Sequence, residues 1–86
     1  MNSYANQRIV IAMRAYVLVR FEANSSRQVI SGLSKLKDVI SADLVTGPYD
    51  AVLAIEAPDM NEIAELVVDK VSKIPGIAST ITCLCT

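Results

Sequence analysis

The stretch FEANSSRQV at residues 21–29 returns as IEAPDMNEI at residues 55–63, and LKDVIS at 36–41 returns as IPGIAS at 74–79. Each half runs strand, capping signal, helix, strand, and the second helix has room for one more turn. No other feature of the 86 residues narrows the choice of fold as much. Two strand–helix–strand units joined by a hairpin give the order β-α-β-β-α-β. Right-handed crossovers then place both helices on one face of a four-stranded sheet. The expected class is α+β, a ferredoxin-like β-α-β-β-α-β sandwich.

The first strand is read over residues 14–23, where Ala15, Val17, Val19 and Phe21 alternate with Tyr16, Leu18, Arg20 and Glu22. Ser25 and Gln28 have the spacing of a capping box, and Val29, Ile30, Leu33 and Leu36 follow at helical intervals. Gly32 inside this helix costs about 1 kcal/mol against alanine, which close packing against a strand would explain. The second and third strands are read over 39–46 and 51–57, with a corner at 47–50. Pro58 stops the third strand, and Asp59 with Glu62 makes a second capping box. Met60, Ile63, Val67, Val71 and Ile74 form one helical stripe. Lys70 and Lys73 sit where the helix dipole favours positive charge, and Pro75-Gly76 ends the helix. The last strand is read over 77–85. Residues 1–13 are read as an N-terminal arm or linker-like strand and 14–86 as the domain.

A domain this small buries only about 60% of its unfolded surface, and the rest needs polar cover. Here 52% of residues are hydrophobic. The excess shows in the strands: Tyr16 and Leu18 oppose Val17 and Val19, while Val52 and Ala54 oppose Leu53 and Ile55. A sheet with one wet face alternates more cleanly. The face away from the helices is therefore expected to meet a second sheet, in a face-to-face dimer of α/β-barrel form.

Several function classes are disfavoured. With 8 basic and 9 acidic residues, net charge −1 and no basic cluster, the chain lacks a nucleic-acid surface. No apolar run reaches the roughly 18 residues of a membrane span, and MNSYANQR lacks the order of a signal peptide. Two cysteines make no disulfide framework, so a reducing cytoplasm is the expected compartment. There is no histidine, the commonest general base and metal ligand. No Gly-x-Ser-x-Gly elbow or glycine-rich phosphate loop occurs. No enzyme activity, cofactor or metal is expected. Cys83 and Cys85 share a strand face with Ile77 and Ile81 and read as buried core or interface thiols. A four-thiol metal site built by two chains is the alternative. Thr80 and Thr82 fall on the opposite face, either as ordinary strand residues or as hydroxyls aimed at a polar ligand.

The corner VTGPYD at 45–50 holds more than a turn needs, since Gly47 and Pro48 alone would make one. Together with AYVLVRFE at 15–22, LVTGPYDAVLAIEAPD at 44–59 and KIPGIASTIT at 73–82, it resembles the effector-binding (RAM) domain of Lrp/AsnC, or feast/famine, transcription regulators. The resemblance covers residues 14–84. It implies dimers joined through their sheets and assembled into rings, commonly octamers. It also implies an amino acid or related small metabolite bound between dimers.

The implied site is Gly47, Tyr49, Asp50, Ser79, Thr80 and Thr82. In it Gly47 lets a backbone amide approach the ligand, Asp50 accepts from its ammonium, and turn amides and threonine hydroxyls hold its carboxylate. Tyr49 would pack at the seam between dimers. The competing role for Asp50 is closing its own turn. Full-length relatives carry a helix-turn-helix domain ahead of this one, for which residues 1–13 leave no room. A stand-alone form that mixes with full-length regulators, without touching DNA itself, is therefore expected. RIVIAM at 8–13 would match the relatives' linker strand, and Pro48 replaces their more usual acidic or polar residue. Two rival classes share parts of the pattern. One is an ACT-like amino-acid-binding domain, although its usual glycine is missing from Ala23-Asn24-Ser25. The other is a small dimeric α/β-barrel enzyme, which the absence of histidine and tryptophan disfavours.

Overall fold

A computed structural model describes residues 12–86. The expected arm at 1–13 lies outside the described residues except for Ala12 and Met13, and Met13 already belongs to the sheet. The elements follow the order read from the sequence: β1 (Met13–Phe21), α1 (Ser26–Leu33), β2 (Val39–Leu44), β3 (Ala51–Ala57), α2 (Met60–Leu66) and β4 (Ile77–Leu84). The sheet is antiparallel throughout, with strand order β2-β3-β1-β4.

One side of this sheet makes the core. Ala15, Val17 and Val19 of β1 and Ala51, Leu53 and Ile55 of β3 are fully buried. Val29 and Leu33 of α1 and Ile63 and Leu66 of α2 close over them. No polar side chain is buried among the described residues. Any polar chemistry therefore belongs to the surface.

The second helix departs from simple α geometry. Residues Val67–Val71 form a π-helical turn in which the Ser72 N–H donates to the Val67 carbonyl at 2.8 Å. The wider turn lets Leu66, Val67 and Val71 all face the core, while Met60, expected in the stripe, stays 55% exposed. Asp59 caps α2 as expected, accepting the Glu62 N–H at 2.9 Å. Ser25 does not cap α1: its hydroxyl turns back to the Ala23 carbonyl instead, at 3.3 Å. Gly32 is explained by a loop rather than a strand. A Cβ there would lie 2.8 Å from Ile74 Cγ2 in the segment leading to β4.

Register settles which side chains share a face. Arg20 pairs with Ser79, but Phe21 pairs with Ile77, so Ala78 is an extra residue in a β-bulge. The bulge moves Ile77 off the face of Ile81 and Cys83, where simple alternation put it, and packs it against the core beside Phe21. A second bulge at Ile40 leaves Val39 on the core side and Ser41 on the other.

Candidate functional site

Three motifs converge at one end of β1. The corner between β2 and β3 is closed by the Val45 N–H donating to the Asp50 carbonyl at 3.0 Å. It is fastened to β1 by the Asp50 N–H, which donates to the Val19 carbonyl at 2.9 Å. Beyond this point β3 has ended, yet β1 continues to Phe21. The Asp50 carboxylate fills the gap, its Oδ2 accepting the Phe21 N–H at 2.8 Å. Asp50 thus neither merely closes its own turn nor stands free. It ends a ladder, and the residue itself remains exposed.

Gly47 adopts φ +147 with nothing within 4 Å of where a Cβ would project, so its need for glycine lies in the backbone alone. Tyr49 is half-buried and packs beneath Arg20, whose guanidinium carbon lies 5.9 Å from the ring centroid. Such an exposed stack stabilises by about 0.5–1 kcal/mol. On the other flank the Glu22 N–H donates to the Gly76 carbonyl at 2.7 Å. Gly76 has φ +99, and a Cβ on it would come within 2.7 Å of Ser25 Cβ. The glycine of KIPG is therefore a packing requirement that presses the loop before β4 onto the start of α1.

The six expected site residues do not meet in one pocket. Gly47, Tyr49 and Asp50 lie together at the corner. Thr80 pairs with Val19 and Ser79 with Arg20, at the same level of the sheet but on the far side of β1. Thr82 pairs with Val17, two residues and about 7 Å further along β4. Asp50 and Thr82 are thus two strand spacings apart, about 10 Å across the sheet. The hydroxyls also divide by face: Thr80 and Thr82 lie on the helix side with Val19 and Val17, Ser79 on the open side with Arg20.

Arg20 was not among the expected residues. It lies beside Ser79 and over Tyr49, where a guanidinium can meet a carboxylate. Its alternation with Val19 put it on the open face, but only the register placed it at the corner.

The open face is largely apolar. Register aligns Tyr16 with Ala54 and Cys83, and Leu18 with Val52 and Ile81. In the single chain Tyr16 is 40% and Ile81 47% exposed. At one end Arg14 pairs with Glu56, its Nη2 donating to Oε2 at 2.8 Å. That hydrogen bond, with the charge behind it, pushes the Arg14 pKa further up, so the guanidinium stays charged. Cys83 and Cys85 are free and exposed rather than buried in this chain, and Cys83 stands among these apolar side chains. No cluster of three or more metal-ligating side chains occurs among the described residues. None of the described helices is long and apolar enough to cross a membrane.

Comparison with known proteins agrees with the fold. The family model for the Lrp/AsnC ligand binding domain matches residues 14–86. An uncharacterised HTH-type transcriptional regulator of Pyrococcus abyssi is 27% identical over 79 residues, 88% of this chain and 53% of its own. A second such regulator of the same organism is 33% identical over 72 residues, 84% of this chain and 46% of its own. The chain spans about half the length of the curated relatives it matches. Among solved structures, FFRP-DM1 superposes with a TM-score of 0.81 at 26% identity, covering 86% of this chain and 99% of that one. A transcriptional regulator of Neisseria meningitidis, solved in complex with L-Met, shares the fold at a TM-score of 0.82 and 18% identity, covering 100% of this chain and 60% of that one.

Proposed function

We propose that this chain, which belongs to the Lrp/AsnC family through its ligand-binding domain, is a self-assembling sensor of an amino acid or a closely related metabolite. It pairs through its open sheet face, gathers into a higher oligomer, binds the effector where two dimers meet, and modulates transcription without chemistry of its own. A full-length regulator of the same family is a candidate partner, joined through the same interface, and the cytoplasm is the proposed compartment. The Neisseria regulator solved with L-Met supports an amino acid as the ligand class.

The observation that carries the assembly is the uncovered sheet face. Tyr16, Leu18, Val52, Ala54 and Ile81 form one contiguous apolar surface in register. Leaving it in water forgoes about 25 cal/mol for each Å² of apolar area that pairing would bury. A second copy offers the same surface, so a two-fold pairing covers both at once.

The separation of Asp50 from Thr82 bears on the ligand. The ammonium and carboxylate of an amino acid share one carbon, so one headgroup does not span about 10 Å of sheet. A site using both the corner and the last-strand hydroxyls draws them from different chains. Binding is then linked to assembly, because the complete site exists only in the oligomer. The roles assigned are Gly47 for close backbone approach, the free oxygen of Asp50 for the ammonium, and Ser79, Thr80 or Thr82 with turn amides for the carboxylate. Tyr49 lies at the seam.

Native mass spectrometry with and without a panel of amino acids tests this reading. The expected result is a ring of dimers whose mass distribution or stability responds to at least one amino acid. A monomer at micromolar concentration under every condition refutes it.

A further inference from the structure

Two thiols at the end of β4 serve neither the core nor the proposed effector site. Cys83 and Cys85 are both free and exposed, although cysteine is among the most often buried residue types. An exposed thiol packs against little, so its reactivity is what calls for a role. The ladder fixes where the two stand. Cys83 pairs with Tyr16. Beyond the last paired residues the Cys85 N–H still donates to the Arg14 carbonyl at 2.9 Å, so the alternation continues through Cys85. Both thiols therefore share the open face, on an edge strand of the sheet, at the end that carries the Arg14–Glu56 pair.

We propose that Cys83 and Cys85 together bind one soft monovalent metal ion of the Cu(I) class, held between two thiolates of a single chain. The inference goes beyond the amino-acid reading and does not depend on it. Residues two apart on a strand lie about 6.8 Å from each other. That is the upper limit for a disulfide, whose Cβ atoms must also close to about 4 Å. Two parallel side chains on one pleated face therefore do not join directly. An ion between them changes the arithmetic. With metal–sulfur bonds of about 2.3 Å, a linear bridge spans about 4.6 Å, and each thiol leans about 1.1 Å toward the other.

Donor type and donor number select the ion. Thiolates suit Cu(I) and other soft ions, whereas magnesium and calcium take oxygen ligands. A structural zinc asks for four donors, and no group of three or more metal-ligating side chains occurs among the described residues. Cu(I), with its filled d shell, is satisfied by two sulfurs in line. Binding releases both thiol protons and leaves a complex with one net negative charge in place of two neutral thiols. The Arg14 guanidinium on the strand opposite Cys85 offsets part of that charge, while Glu56 draws on the same guanidinium. Chelation separates this pair from a lone surface thiol. Once one thiolate holds the ion, the second is already within reach, at an effective concentration of about millimolar or more.

The test is anaerobic titration of the reduced protein with Cu(I) supplied as its bicinchoninate complex, whose colour fades as the protein takes the ion. It is repeated on Cys83→Ser and Cys85→Ser, exposed positions where a hydroxyl replaces the thiol without touching the core. The expected result is one Cu(I) per chain, held at least about a hundredfold more weakly in each variant, as loss of a chelating arm requires. X-ray absorption of the loaded, unaltered protein should show two sulfur neighbours. No uptake overturns the inference, and so does uptake undiminished in either variant. Half an ion per chain, with three or four sulfur neighbours, identifies a site shared between copies and overturns the single-chain site. None of these outcomes bears on the amino-acid reading.

Discussion

The Asp50 carboxylate ends the ladder and, on the proposed reading, also holds the effector's ammonium, two roles that a pair of substitutions separates. Its Oδ2 accepts the Phe21 N–H at 2.8 Å, where β1 outruns β3. Asp50→Ala removes the acceptor and leaves that amide to water. Hydrogen bonds to charged groups stabilise by about 1.5–3 kcal/mol in sheltered sites. The bond lies at an exposed position, so water repairs part of the loss, and about 1 kcal/mol is expected. For a domain of this size that is a fall in Tm of roughly 4–8 °C. Asp50→Asn keeps an amide oxygen at the same reach and should lose less than about 0.5 kcal/mol. Effector binding is expected to follow the opposite logic. An ammonium held by a carboxylate loses its charge-assisted bond in both variants, so D50N and D50A should bind about equally weakly. The assay is thermal unfolding at fixed protein concentration, because the proposed assembly would make Tm depend on concentration, paired with effector titration. Equal destabilisation by D50N and D50A would refute the ladder-ending role. Unchanged effector affinity in D50N would refute the ammonium contact.

Other substitutions check separate parts of the fold. Gly76→Ala must resolve a Cβ contact of 2.7 Å at φ +99, whereas Gly47→Ala meets open space at φ +147. Chemical denaturation should show G76A losing more than about 2 kcal/mol and G47A about 1. Asp59→Ala should lose about 1 kcal/mol because its side chain caps α2. Ser25→Ala should lose less than about 0.5 kcal/mol in the same measurement, since its hydroxyl makes no cap. Ile81→Glu places a charge in the middle of the open face and should yield a folded monomer, read by sedimentation and circular dichroism. Leu53→Ala opens a cavity at a fully buried position and should lose about 2–5 kcal/mol.

Periodicity and the repeated half made the order of elements legible, and the turn residues between strands located the corner. What escaped were single-residue events. Ala78 is one extra residue in an otherwise regular strand, yet it transfers Ile77 from the open face to the core. Neither Ala nor its neighbours signal a bulge, because the need for one arises from joining the loop after α2 to β1. The π turn at Val67–Val71 is equally silent, since Val67, Val68 and Val71 suit either helical pattern. Ser25 carries a capping sequence, but Gly76 packs against its Cβ and the hydroxyl turns to Ala23 instead. Of the candidate site, the corner was legible because Tyr49 and Asp50 exceed what a turn requires. Arg20 was not, because its place over Tyr49 depends on where β3 stops.

On the proposed reading the two faces of the sheet divide the work of a sensor, and β1 is where they meet. Its even-numbered residues Tyr16, Leu18 and Arg20 line the open face, while its odd-numbered residues hold the core beneath the helices. A substitution on the open face can therefore change pairing without touching the helix packing. The corner and the last-strand hydroxyls lie on opposite sides of this strand, and on the proposed reading only a neighbouring copy reunites them. An effector at about 100 times its dissociation constant then stabilises the assembled state by about 2.7 kcal/mol per site. A two-fold contact carries two equivalent sites, which brings the total to about 5 kcal/mol. Since each 1.4 kcal/mol is a factor of ten, that shifts the association constant by more than a thousandfold. A contact too weak to form at micromolar protein would thus form when effector is abundant. On the proposed reading, no rearrangement within the chain is needed for this response. The proposed response rests on where β3 ends, and on the carboxylate of Asp50 taking up the next amide.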